Sequence, residues 1–230
     1  MKPEQMENKR YKASDFGTIS MEENLMLEML RRYASEKKQP LKVLDIGCGS
    51  GTIAKKIEDY GHAVKGIDFS EEALKRAKER GIETIQCNLD EGIPEASDSY
   101  DIVWEGDIVE HVFDPIGLLK ESARVLKKDG MLLLTIPSDV GIISRIKMLF
   151  GISHQEQMYM TSGFYKHHTF FTPRLIQFML RKAGFEIVQF HKILNIGKRY
   201  RIKYLPAMFF NEMVIQAKKR SRVTQQKKQM

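Results

Sequence analysis

An apolar run that breaks into closely spaced glycines leaves a chain few ways to fold. Leu41-Lys42-Val43-Leu44-Asp45-Ile46 is such a run, and Gly47-Cys48-Gly49-Ser50-Gly51 follows it directly. A short, mostly apolar segment suits a strand buried inside a sheet. Glycine admits positive φ and lets a ligand approach the backbone closely. From about Thr52 to Tyr60 the pattern predicts a helix. A second strand is predicted over His62–Asp68, and the acid that closes it can accept hydrogen bonds from ribose hydroxyls. The glycines are spaced G-x-G-x-G. The dinucleotide fingerprint is G-x-G-x-x-G, and Thr52 stands where its third glycine would be, which disfavours a nicotinamide-dependent oxidoreductase. A tight strand–helix turn beside a surface aspartate is the plainer alternative.

The alternation continues along the chain. Ser70 is a good N-cap for a helix over Glu71–Arg80, with acids in its first turn and bases later. Strands are predicted over Ile82–Cys87, Tyr100–Trp104, Met131–Ile136, Phe185–Phe190 and, seventh, Asn211–Gln216. Asp114-Pro115 and Thr172-Pro173 each open a helix as cap and first residue. An amphipathic helix over residues 19–38 precedes the first strand. Strands alternating with helices imply an α/β fold: a mostly parallel, seven-stranded central sheet with helices on both faces. The expected organisation is an N-terminal helical segment (1–39) over the ligand side, a main domain (40–218) with an insertion at about 138–171, and a basic, disordered tail (219–230). Long connections are often lids.

Charge is unevenly placed. After His191 there are eleven Lys/Arg and one acid, a balance of +10, while residues 1–191 balance at −3. The basic end suits nucleic acid or anionic lipid, or is simply a solvated terminus. Two cysteines cannot build a disulfide framework. MKPEQMENKRYK lacks the apolar core of a secretory signal, so the expected compartment is the cytoplasm.

The glycine motif and the segments that follow it resemble the class I S-adenosylmethionine-dependent methyltransferases, in particular the small-molecule branch that includes the ubiquinone- and biotin-pathway enzymes. The resemblance covers about residues 40–190. It rests on Val43–Gly51, on Gly66-Ile67-Asp68-Phe69-Ser70, on Asn88–Pro94, on Tyr100–Val103 with Glu110-His111-Val112, and on His168–Thr172 followed by Ala183-Gly184-Phe185. It implies a Rossmann-like fold and S-adenosyl-L-methionine as cofactor, leaving S-adenosyl-L-homocysteine as product. It also implies roles. Gly47, Cys48, Gly49 and Gly51 would lie against the methionine part of the cofactor, and Asp45 would orient its ammonium. Asp68 would hold the ribose diol, Phe69 would lie near the adenine, and Asn88 and Leu89 would meet the adenine edge. Asn88 stands where the family often has Asp. Glu105 is expected just past the fourth strand, at the methionine end, where the family usually has small or sulfur-bearing residues.

His111 and His168 are the candidate catalytic residues, since a hydroxyl acceptor needs a base and histidine titrates near neutrality. Sequence spacing offers no metal cluster. The insertion is rich in Met and aromatic residues, which suits a lid over an apolar acceptor. Ile142–Phe150 and Tyr204–Phe210 also suit peripheral contact with a membrane. The expected partner is therefore a small-molecule methyl acceptor with an apolar or lipid-like part. RNA or protein methylation is an alternative prompted by the basic tail, although residues 1–191 show no basic stripe. A non-catalytic cofactor-binding partner is another.

Overall fold

A computed structural model describes residues 19–138, 141–153, 167–196, 198–201 and 210–220. The expected tail lies almost wholly outside the described residues, as do residues 1–18, part of the insertion (139–140 and 154–166) and most of Tyr204–Phe210.

Helix α1 (Met21–Lys37) starts at a reciprocal cap. The Ser20 hydroxyl accepts from the Glu23 amide, and the Glu23 carboxylate accepts from the Ser20 amide. Such a box satisfies two of the amides that a helix start leaves orphaned. Strand β1 (Lys42–Ile46) follows, then α2 (Thr52–Asp59), β2 (Ala63–Asp68), α3 (Glu71–Glu79) and β3 (Glu83–Gln86). Strand β4 (Tyr100–Gly106) and helix α4 (Pro115–Val125) lead into β5 (Leu126–Pro137). The strand begins at Leu126, five residues before the predicted start at Met131, and Asp129 takes a positive φ within it. Helix α5 (Ile142–Leu149), helix α6 (Pro173–Lys182), β6 (Phe185–Ile196), β7 (Lys198–Arg201) and β8 (Glu212–Lys219) complete the chain. The predicted caps at Ser70, Asp114 and Thr172 are all in place.

The sheet order is β3-β2-β1-β4-β5-β8-β6-β7. Strands β1 to β5 pair in parallel. β8 runs antiparallel between β5 and β6, which restores β6 to the common direction. β7 is a short antiparallel addition to an overlong β6, so the described sheet has eight strands where the sequence predicts seven.

Two buried clusters cover the two faces. Leu44, Ile46, Val103, Leu132 and Leu134 pack under α4 and α6 with Leu119, Ile176 and Phe171. Val43, Ile102, Trp104 and Leu133 pack under α1 and α2 with Met26, Leu30 and Ile57. Adjacent residues of one strand therefore serve opposite faces, the period-two rule of a pleated strand. After β1 the chain builds β2 and β3 on one side, then crosses to β4 and β5 on the other. The switch point lies between β1 and β4, where open α/β sheets hold ligands beyond the carboxyl ends of their strands.

Candidate functional site

The glycine turn sits at that switch point. Gly47, Gly49 and Gly51 all take positive φ, at 75°, 54° and 76°. The Gly47 and Cys48 amides both donate to the Ile67 carbonyl, which folds the turn back across β2. A Cβ at Gly47 would meet Ile108 at 2.9 Å, and one at Gly51 would meet Ala77 of α3 at 2.9 Å. These two glycines are thus required by the protein's own packing as well as by their dihedrals. Gly66 on β2 is equally constrained. A Cβ there would fall 2.6 Å from the Cys48 sulfur. Burial holds the Cys48 thiol well above its usual pKa, and burial raises Cys87 as well. Neither cysteine is an activated nucleophile.

Asp68 locks the turn to the end of β2. One of its oxygens accepts from the Gly49 amide at 2.8 Å, and the other from the Ser70 amide at 2.8 Å. Asp45 lies beneath the turn on the α1/α2 face, 3% exposed, and its Oδ2 has no hydrogen-bond partner. Burial first, then the nearby Glu23 and Asp68 carboxylates, push its pKa up to about 8. Glu23 is supplied by the capping box of α1, so the first helix brings an acid to this corner that sequence reasoning did not single out.

Beyond β3, Asn88 caps a short turn over Leu89–Glu91. Its side-chain oxygen accepts from the Asp90 amide, and its amide donates to Glu91. Leu89 packs against the α4/α6 core, and Phe69 is half-buried at the end of β2.

Glu105 is placed differently from the sequence expectation. β4 runs through it to Gly106 rather than ending at Trp104. Asp45 is in register with Trp104, and Glu105 with Ile46, so Glu105 and Asp45 project from opposite faces of the sheet. Glu105 is fully buried under α4 against the Ser122 hydroxyl, and its Oε2 has no partner. It does not join the Asp45–Asp68 group. Burial raises its pKa to about 7. Ser122 Oγ also lies 3.0 Å from the Leu118 carbonyl. One hydroxyl proton cannot serve both acceptors, whereas a protonated Glu105 donating to Ser122 satisfies both contacts.

A pH prediction follows from that burial. The folded protein keeps the Glu105 proton up to about pH 7, while the unfolded chain releases it near its ordinary value of 4.5. Stability is therefore lost as pH rises between those values. Glu105→Gln removes this contribution, so its melting temperature is expected to fall less than the wild type's between pH 5 and pH 8. Parallel melting curves of the two proteins check it, and equal slopes would contradict it.

The histidines meet at the carboxyl end of β4. His111 closes a short turn over Val109–His111, and its ring lies 4.7 Å from the His167 ring, edge to face. The Glu110 carbonyl accepts from the amides of His168 and Thr169, so the chain returning from the insertion is clamped here. His168 stacks on Phe113 at 4.2 Å, and Phe113 is 75% exposed. Sequence spacing gives no metal cluster, yet Glu110, His111 and His167 bring one ligand atom each within 4.8 Å of one another. A long return through the fold does this, and no local spacing can reveal it. Glu110 is part of a quoted motif but has no role assigned there, and His167 and Phe113 lie outside the quoted motifs.

The sequence matches the profile of a family described as "Methyltransferase domain" over residues 20–190. The chain belongs to this family. It is 25% identical over 183 residues to the human mitochondrial ubiquinone biosynthesis O-methyltransferase, covering 76% of this chain and 49% of the relative. It therefore spans about half the length of that relative. It is 27% identical over 181 residues to the ubiquinone biosynthesis O-methyltransferase of Aliivibrio fischeri strain MJ11, covering 71% of this chain and 75% of the other. Among solved structures, an S-adenosylmethionine-dependent methyltransferase from Archaeoglobus fulgidus superposes with a TM-score of 0.62 at 22% identity. The match covers 86% of this chain and 94% of that one. That likeness carries the fold.

Proposed function

We propose that this chain transfers a methyl group from S-adenosylmethionine to a hydroxyl of a small organic acceptor that has an apolar part. The observation that carries the cofactor half is the orphaned Asp45 oxygen, buried beneath a glycine turn at the switch point. A buried carboxyl oxygen without a partner is costly, and a cationic ligand group relieves that cost by pairing with the ionised form. The cofactor's ammonium is such a group. Asp68 already presents a fixed carboxylate at the strand end for a ribose diol. Cys48, Gly47, Gly49 and Gly51 supply the backbone against the methionine part, and Phe69, Asn88 and Leu89 border the adenine. Glu105 has no cofactor role in this reading. When bound, the cofactor supplies a sulfonium-activated methyl group. The protein's work is to position the acceptor and, for a hydroxyl, to take its proton. His111 and His168 are the residues proposed for that work, with His167 beside them. The hydroxyl acceptor is supported by the names of the curated relatives, which are O-methyltransferases.

Titration calorimetry tests the cofactor assignment. At pH 7 most of the free protein's Asp45 is protonated, because its pKa stands at about 8. Pairing with an ammonium drives that proton off. S-adenosylmethionine is expected to bind with release of up to about one proton, seen as an enthalpy that changes with the buffer's ionisation heat. Asp45→Asn should abolish the buffer dependence. A reduced nicotinamide dinucleotide binding more tightly than S-adenosylmethionine would overturn the assignment.

A further inference from the structure

Helix α5 leaves the carboxyl edge of the sheet and exposes an unusual amount of apolar surface. Ile142, Ile146, Met148, Leu149, Phe150 and Ile152 are 39%, 48%, 68%, 84%, 79% and 42% exposed. Scattered exposed apolar residues are ordinary, but a contiguous group of this size marks a contact surface. At about 100° per residue, Ile142, Ile146, Leu149 and Phe150 form one stripe along the helix. Arg145 and Lys147 fall on either side of that stripe. From Gly141 to Ser153 there is no acid.

We propose that this face of α5 docks on a lipid bilayer bearing anionic headgroups. An apolar stripe flanked by cations is the arrangement that lets a helix lie in a membrane interface, its aliphatic side chains among the acyl chains and its cations at the headgroups. Charge selects this occupant over a second copy of the chain, which would set the same cations against one another. The balance of +10 after His191 acts in the same sense. The helix is eight residues long, and no described helix is long and apolar enough to cross a membrane, so the contact is one of resting on the surface. This goes beyond the methyl-transfer reading, and its test needs neither cofactor nor acceptor.

Co-sedimentation with vesicles decides it. Wild-type protein is expected to partition onto phosphatidylcholine vesicles containing phosphatidylglycerol roughly tenfold more than onto phosphatidylcholine alone. The variant Leu149→Ser/Phe150→Ser should lose that binding while keeping the wild-type melting temperature, since both side chains are largely exposed. Arg145→Gln/Lys147→Gln should weaken it towards the level seen without phosphatidylglycerol. No wild-type binding to either vesicle overturns the proposal. So does binding that survives the Leu149/Phe150 changes, or binding indifferent to phosphatidylglycerol. Wild-type self-association that the same double variant abolishes, without vesicle binding, would make the face a contact between copies and overturn it too.

Discussion

Asp68→Ala is expected to weaken S-adenosylmethionine binding by about 10- to 100-fold, with the protein still folded. The carboxylate has two tasks. It accepts the Gly49 and Ser70 amides at 2.8 Å, which ties the glycine turn to the end of β2. In the proposed reading it also accepts hydrogen bonds from the ribose diol. Hydrogen bonds to a charged acceptor contribute about 1.5–3 kcal/mol each, and about 1.4 kcal/mol is tenfold in affinity. Asp68→Asn keeps one acceptor oxygen and should fall between wild type and Ala. Calorimetric titration of the three proteins, with melting curves alongside, checks the order. Equal affinity for wild type and Ala would refute the ribose assignment.

Gly51→Ala is expected to destabilise the fold by about 2–5 kcal/mol, lowering the melting temperature on the order of 10 °C. The residue caps α2 with φ at 76°, a left-handed conformation that costs a side-chain-bearing residue about 1–2 kcal/mol. The new Cβ would also lie 2.9 Å from the Ala77 Cβ and 3.1 Å from its Cα. Backbone cannot swing aside as a flexible side chain can, so α2 and α3 must separate, and such overpacking costs roughly another 1–3 kcal/mol. Gly61→Ala is the matched control. Its φ is 87°, and nothing lies within 4 Å of the added Cβ, so only the dihedral cost applies. Thermal melts of both variants measure the difference. Gly51→Ala melting no earlier than Gly61→Ala would show that the helix contact is unimportant.

The parts of this fold that were legible in the sequence are those set by local chemistry. Ser70, Asp114 and Thr172 cap helices because a side-chain oxygen reaches an amide three residues on, and that reach is written into the sequence. The glycine turn was legible for the same reason, being contiguous. What escaped depends on register and on return paths. Glu105 was placed past the end of β4, but the strand runs two residues further than its apolar core suggests, and alternation then carries Glu105 to the face opposite Asp45. His167 meets His111 only because the chain comes back from the insertion onto the Glu110 carbonyl. Gly51 looked like a ligand-facing glycine, while the atom that a Cβ would strike belongs to the next helix. β7 escaped because a four-residue strand on the end of a long hairpin has no pattern of its own.

Labelled methyl transfer distinguishes a small organic acceptor from a macromolecular one. Purified protein and methyl-labelled S-adenosylmethionine are offered host extract separated into organic-soluble, small polar, RNA and protein fractions. Label is expected in the organic-soluble or small polar fraction, and it should be stable to nuclease and protease. Label appearing in RNA or protein instead would contradict the account and give the basic C-terminal segment a part in choosing the substrate.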